Sequence, residues 1–191
     1  MTSNRLEAFS DGVLAIILTI MVLELEPPES YDMEAIAKVF PSFVIYFISF
    51  LYIGIYWIGH HNLFKLSEKV NGKVLWANLL LLFWLSLIPF TTNWVGEDDF
   101  GLDAAPVIVY GFVLLMSKFS YLHLRIRIVK QHEKDAPIVE IIKPNKKDAF
   151  VILLYLVSFA LTLVKPHFGI ISFLFVGILK VLYIRHFSIK V

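Results

Sequence analysis

Apolar residues occur in long runs along this chain, and short segments rich in charge, proline or glycine separate the runs. The runs at 39–59 and 74–96 contain no charged residue, and each has about the 20 residues that an α-helix needs to cross a bilayer. The remaining runs are shorter or carry a lysine near one end. The pattern predicts six membrane-spanning helices, over residues of about 5–26, 36–63, 74–96, 104–128, 148–165 and 168–187.

Composition supports this interpretation. Hydrophobic residues make up 58% of the 191 residues and charged residues only 17%, which excludes an ordinary soluble domain. We therefore predict an all-α, polytopic membrane protein in which 1–191 is a single domain. The formal charge of +1 gives no indication of nucleic-acid binding. Cysteine is absent, so disulfides and thiolate metal sites are excluded, and no cofactor is predicted.

The lysines and arginines indicate an orientation, because such residues accumulate in cytosolic segments. We place both termini and the loops 65–73 and 125–147 in the cytosol. Lys118 and Lys180 are predicted to extend their ammonium groups to the same side. Of the 17 lysines and arginines, two then lie on the outer side, namely Lys38 and Lys165. The outer connections are rich in aspartate and glutamate, so the outer face is predicted to be acidic.

The first predicted helix differs from the other five. Its apolar run, 13–23, is shorter than a lipid-exposed helix needs, and Asp11 lies just before it. Both features favour a position inside a bundle. Helical spacing places small, branched and hydroxyl side chains on one face, which we call the α1 stripe: Gly12, Ile16, Thr19, Ile20 and Leu23.

The α1 stripe has two interpretations. Periodicity alone favours ordinary packing in the core of the bundle. The hydroxyl of Thr19, together with the carboxylates of Glu24 and Glu26 at the outer end, favours an ion pathway with an acidic outer vestibule. Such a vestibule would raise the local cation concentration, and salt would weaken the effect.

Asp11 stands out because an ionisable group near a membrane helix is costly unless it is paired or hydrated. The carboxylate either caps the first helix and interacts with its dipole or pairs with another group. Arg5 is a candidate partner, within one subunit or between two.

Four polar or aromatic residues of the second and third spans lie at the same end as Asp11: Trp57, His60, His61 and Asn78. Adjacent histidines point in different directions on a helix, and no Glu-x-x-His pattern accompanies them, so a metal site is not favoured. We predict a hydrogen-bonded interhelical network, with one histidine facing Asp11 or Ser10. The alternative for the tryptophan is simple anchoring at the membrane interface.

Three sequence blocks carry a resemblance to a known family. They are Arg5-x-x-x-Phe9-Ser10-Asp11, then Trp57-x-x-His60-His61-x-Leu63-Phe64, and then Asn78-Leu79-Leu80 through Leu87-Ile88-Pro89-Phe90. In this order they resemble the first three helices of the transmembrane protein 175 family, the endosomal and lysosomal potassium channels and their prokaryotic relatives. The second half of the chain resembles the family in helix count only.

The resemblance implies a potassium-permeable channel in a prokaryotic plasma membrane, built as a homotetramer whose pore is lined by the first helix. It also implies that four motif residues hold this helix against the second and third: Arg5, Phe9, Ser10 and Asp11. On the family's pattern, Ile16 is the hydrophobic constriction, Thr19 is associated with cation preference, and Leu23 lies further along the pore.

Four such helices around an axis would stack rings of Ile16, Thr19 or Ile20, and Leu23 into a narrow apolar neck. Because the sequence provides no carbonyl filter loop, we expect only modest selectivity for potassium over sodium, with potassium the permeant ion.

Two other classes of protein remain as alternatives. A proton-coupled secondary transporter would use Asp11 with His60 and His61, but the spans show no paired glycine or proline interruptions in corresponding halves. An intramembrane enzyme would have only these same three residues as catalytic candidates. We predict that the protein is not an enzyme.

Overall fold

The computed structural model describes residues 2–65, 67, 70–97, 103–132 and 137–188. The regular elements within these ranges are eight α-helices. Their bounds are α1 Ser3–Leu23, α2 Met33–Lys65, α3 Gly72–Ser86, α4 Ile88–Glu97, α5 Ala104–Val129, α6 Pro137–Ile142, α7 Lys146–Val164 and α8 Pro166–Ser188.

Five helical stretches are long and apolar enough to cross a membrane. They are α1, α2, α3 together with α4, α5, and a stretch from Val139 to the end of α7. The described part of α8 adds a shorter apolar helix, Pro166–Lys180. The prediction of an all-helical, multi-pass membrane protein is therefore confirmed.

The predicted span 74–96 is two helices and not one. α3 ends at Ser86, and α4 begins at Ile88. Pro89 explains the break, because it has no amide hydrogen and its ring crowds the carbonyl group four residues earlier. The Thr91 hydroxyl donates to the carbonyl oxygens of Leu87 and Ile88, at 3.2 and 3.1 Å, so polar groups at the break remain hydrogen-bonded inside the membrane span.

Side-chain caps begin several of the helices. The Asp32 carboxylate accepts a hydrogen bond of 2.8 Å from the Ala35 amide, and the Ser30 hydroxyl donates to its other oxygen. These donors hold the pKa of Asp32 below its usual value. Asn71 caps α3 by accepting from the Val74 amide at 3.1 Å.

The helices form one bundle with two chemically different ends. At what we call the basic end, the start of α1 meets the end of α2, and the Ser3 hydroxyl donates to the Phe64 carbonyl at 3.0 Å. At the acidic end, α2 begins beside the end of α4, where the Ser42 hydroxyl donates to the Gly96 carbonyl at 2.8 Å. Between the ends, α5 packs against α3, α4, α7 and α8.

Three charged side chains form an ion cluster at the basic end, between α5 and α7. The Lys118 ammonium lies 2.6 Å from the Asp148 carboxylate, and Arg125 donates to both oxygens of that carboxylate at 2.9 Å. Lys118 is only 6% exposed. Its ammonium, predicted to extend towards the cytosolic end of the helix, stops at a carboxylate inside the protein.

Lys180 also stays within the protein. Its ammonium nitrogen lies 4.1 Å from the ring centroid of Tyr52 and 4.5 Å from that of Tyr56, both on α2. These distances are those of cation–π contacts. Lys180 thus attaches α8 to α2, and its ammonium, predicted to extend towards the cytosolic side, ends on these two rings.

α7 and α8 form a tight antiparallel hairpin. A single residue, Lys165, joins them. Gly169 lies so close to Thr162 that a Cβ atom at this position would overlap the threonine side chain. One turn away, the hydroxyl oxygens of Ser158 and Ser172 are 2.7 Å apart and share a hydrogen bond. Glycine at 169 is therefore what allows the two helices to come this close.

Candidate ion pathway and its supporting network

The two faces of α1 have opposite environments. The face towards α2, α3 and α4 is buried through Leu6, Ser10, Leu14, Ile17 and Met21. The α1 stripe lies on the other side and is exposed: Ile16 is 59% exposed, Ile20 39% and Leu23 81%. The interpretation that these three side chains fill the core of their own subunit is therefore excluded.

Thr19 lies within the exposed α1 stripe. Its hydroxyl donates a hydrogen bond of 2.9 Å to the carbonyl oxygen of Ile16, one turn earlier in the same helix. The hydroxyl hydrogen is thus occupied, whereas the oxygen keeps lone pairs that can accept from water or coordinate a cation.

A chain of hydrogen bonds fixes the rotation of α1 against its neighbours. The Asn78 amide nitrogen donates to the Ser10 hydroxyl oxygen at 2.9 Å, and the His60 Nε2 lies 2.8 Å from the Asn78 amide oxygen. Because that amide oxygen can only accept, the imidazole carries its hydrogen on Nε2. All three side chains are buried, so α1, α2 and α3 meet through a neutral chain within the basic end.

Two further bonds flank this chain. The Trp57 indole nitrogen donates to the Asp11 carboxylate at 3.0 Å. His61 Nδ1 lies 2.6 Å from the carboxylate of Glu7. We call these contacts together with the Ser10–Asn78–His60 chain the α1 network. The structure thus gives each of the four predicted residues a hydrogen-bond partner on another helix, and Trp57 does more than anchor the interface.

One detail of that prediction is wrong. Neither histidine hydrogen-bonds Asp11 or Ser10 directly, because Trp57 occupies Asp11 and Asn78 stands between His60 and Ser10. The sequence analysis also missed Glu7. A signal existed, since Glu7 precedes Asp11 by four residues and therefore lies on the same side of the helix.

Arg5 and Phe9 do not join the α1 network. Both are exposed, Phe9 by 51%. Among the described residues, no hydrogen bond or salt bridge links Arg5 to Asp11. Because Phe9 precedes Ile16 by two helical turns, the exposed face of α1 runs continuously from Arg5 to Leu23.

An acidic cleft of about 670 Å³ opens beyond the last turn of α1. Its carboxylates come from the end of α1, the following connection, the start of α2 and the end of α4, and they are Glu24, Glu26, Glu29, Asp32, Glu34 and Glu97. The two glutamates predicted to form an outer vestibule are thus part of a larger acidic surface at the acidic end.

No group of three or more metal-binding side chains occurs in the part of the chain that the structure describes. His60 is buried against Asn78, whereas His61 is more exposed and faces Glu7. The two imidazoles therefore point to different partners.

A family model described as the endosomal/lysosomal potassium channel TMEM175 matches residues 5–89. These residues contain α1, the α1 network, α2, α3 and the beginning of α4. A protein of Chryseobacterium sp. (strain P1-3) named as a potassium channel is 45% identical over 170 residues, which are 89% of this chain and 88% of the relative.

A crystal structure of a lysosomal potassium-selective channel TMEM175 homolog from Chamaesiphon minutus superposes with a TM-score of 0.81 and 26% sequence identity. The match covers 95% of this chain and 97% of that chain. The endosomal/lysosomal proton channel TMEM175 of Gallus gallus is 31% identical over 109 residues, which are 51% of this chain but only 22% of the relative.

Proposed function

Because the chain belongs to the TMEM175 family, whose named members are potassium and proton channels and not enzymes, we propose that it is the subunit of a potassium-permeable cation channel. Four copies surround one axis in a prokaryotic plasma membrane. Each copy contributes α1 to the pore, and potassium is the permeant ion, without a cofactor.

The opposite environments of the two faces of α1 are the observation that carries this proposal. One face is buried and held by the α1 network, whereas Ile16 and Leu23 on the other face are 59% and 81% exposed. A helix with a short apolar run and a nearby carboxylate is poorly suited to lipid on its exposed side. Four copies around an axis would shield that side from lipid, and the four exposed faces would surround a water-filled pore.

In this arrangement the α1 stripe forms stacked rings of Ile16, Thr19, Ile20 and Leu23. The Ile16 ring is the hydrophobic constriction, which closes by losing its water or admits a partly dehydrated cation. The Thr19 oxygens replace part of the lost hydration. No rigid cage of carbonyls surrounds the ion, so the preference for potassium over sodium is modest.

The charged ends of the bundle set the direction of the channel. The basic end faces the cytosol, as the distribution of lysine and arginine favours. The acidic end then forms the outer mouth, where Glu24 and Glu26 concentrate cations in front of the pore.

The four motif residues divide between two tasks. Ser10 and Asp11 hold α1 against α3 and α2 within one subunit, as their hydrogen bonds support. Arg5 and Phe9 continue the exposed face of α1, so they stabilise contacts between neighbouring copies. The transporter alternative is not favoured, because His60 and Asp11 lie near one end of the bundle and already bond Asn78 and Trp57.

Potassium and sodium flux through the purified protein in liposomes tests the proposal. Ile16→Asn should hydrate the constriction and raise cation flux several-fold. Ile171→Asn is a matched control, since Ile171 on α8 is also 59% exposed but lies far from α1 in the chain. Cation flux that is unchanged in Ile16→Asn, or raised equally in the control, would show that α1 does not line the pore.

A further inference from the structure

We propose that a groove between α3 and α5 at the basic end binds the headgroup of an anionic phospholipid. The groove has a volume of about 530 Å³. Its rim consists of Lys73, His123 and Arg127, and its floor includes Trp76, Leu79 and Leu80. The inference concerns the lipid-facing surface of one chain and does not depend on how copies surround a pore.

The rim is positively charged. None of the side chains that line the groove is acidic. Within the described ranges, neither Lys73 nor Arg127 lies within salt-bridge distance of a carboxylate, whereas Lys118, Arg125 and Lys143 each have one. A phosphate group placed at the rim would meet two cations that the described chain does not neutralise.

The rim is also organised by a contact between its own members. The Arg127 Nε donates a hydrogen bond of 3.2 Å to the His123 Nε2, one turn earlier on α5. This bond uses only one of the five guanidinium N–H groups and leaves the planar outer fork available for an acidic oxygen.

The floor is apolar and open to the membrane. Trp76 is 75% exposed, Leu80 43% and Leu79 39%. Lys73, Trp76 and Leu80 follow one another along one face of α3, so charge, aromatic ring and aliphatic surface succeed each other from the end of the helix inwards. That order matches the phosphate, glycerol and acyl regions of a phospholipid, and tryptophan is favoured at the middle level.

These two properties together identify the ligand class. A soluble anion would use the rim but would gain nothing from the exposed aliphatic floor. A zwitterionic lipid would use the floor, but its headgroup carries a positive charge that the cationic rim would repel. Each lysine or arginine near an anionic membrane surface strengthens association about fivefold, so the two cations of the groove should favour an anionic lipid about 30-fold.

Native mass spectrometry of the purified full-length chain tests this inference. The protein is titrated with phosphatidylglycerol and, separately, with phosphatidylcholine of the same acyl composition. We expect a preference for phosphatidylglycerol that falls about fivefold in Lys73→Gln and in Arg127→Gln and disappears in the double variant. Lys73→Arg and Arg127→Lys keep the charge and should keep the preference.

Lys143→Gln is the matched control, because it removes one positive charge from an exposed lysine that already pairs with Glu140. It should leave the preference unchanged. An equal loss of the lipid preference in this control would overturn the inference, because net charge would then explain the result. A preference that survives in the double variant would also overturn it, because the lipid would then not bind at this groove. The measurement needs no ion flux, so its failure is distinct from failure of the proposed channel function.

Discussion

Two polar clusters stabilise the basic end of this bundle, and they do so by opposite means. The chain of Ser10, Asn78 and His60 in the α1 network is uncharged and joins three helices of the first half. The ion cluster of Lys118, Arg125 and Asp148 joins α5 to α7 in the second half with full charges. The fully buried contacts of α1 are therefore hydrogen bonds between uncharged groups, with the carboxylates of Glu7 and Asp11 at the partly exposed edge of the network. In the second half, a buried ion cluster holds α5 to α7.

The difference has a physical reason. A fully buried carboxylate or ammonium beside the proposed cation pathway would add its own field to that of a permeating ion, whereas Glu7 and Asp11 are partly exposed to water. Hydrogen bonds between uncharged groups fix geometry without such a field. The ion cluster in the second half is free of this constraint, and Arg125 there also donates to the carbonyl oxygens of Ile142 and Lys143. It thus holds the end of α6 as well.

Removing the shared carboxylate of the ion cluster should have the largest effect on stability. Asp148→Ala leaves Lys118 and Arg125 without an anion in a buried site, and breaking such a pair costs about 3–5 kcal/mol. We expect a marked fall in the thermal unfolding midpoint in detergent. Glu140→Ala, which removes an exposed partner of Lys143, should change the stability by less than about 1 kcal/mol.

Adding Lys118→Met to Asp148→Ala should recover part of the loss, because one unpaired charge is then removed. Asp148 also accepts a hydrogen bond of 3.0 Å from the Asn145 amide at the start of α7. A double variant that is no more stable than Asp148→Ala would show that Asp148 acts through this cap and not through charge.

Breaking the neutral chain should cost less stability but alter ion flux more. Asn78→Ala leaves buried donor and acceptor groups of His60 and Ser10 without a partner, at a cost of about 1–3 kcal/mol. It also frees α1 to rotate, so potassium flux in liposomes should change. Ser158→Ala removes a partly buried hydrogen bond between α7 and α8 and serves as the control. Equal effects of both variants on potassium flux would show that the Ser10–Asn78–His60 chain has no special role in positioning α1.

The smallest effect is expected at the edge of the α1 network. Asp11 is half-buried, and Asp11→Ala loses one hydrogen bond from Trp57, worth about 1 kcal/mol. The fraction of the proposed tetramer in detergent should fall, while the potassium-to-sodium reversal potential should change little. An intact tetramer with altered selectivity would instead place Asp11 in the pore.

The first half of the molecule could be predicted well from the sequence. Helical spacing alone separates the buried face of α1 from its exposed stripe. The members of the α1 stripe, from Gly12 to Leu23, can therefore be identified without knowing how the helices pack. The pairings inside the α1 network could not be predicted, because they depend on the relative height and rotation of three helices. For that reason the expected bond from a histidine to Asp11 is replaced by one from Trp57.

The second half shows where sequence reasoning stops. Lys118 and Asp148 lie 30 residues apart, and no short motif connects them. A lysine near the end of an apolar run is usually expected to reach water, and the partner that keeps it inside is visible only once α5 and α7 are packed. Pro89, by contrast, is a local signal for the break between α3 and α4, and the length of the apolar run obscured it.

The single-residue connection between α7 and α8 has a consequence for biosynthesis. Because so short a turn cannot separate the two helices, we expect α7 and α8 to enter the bilayer together, after translation of α8. In the proposed orientation, the turn carries the charge of Lys165 across the membrane. A bulky residue at position 169 would force the two helices apart and should impair insertion of the pair as a unit.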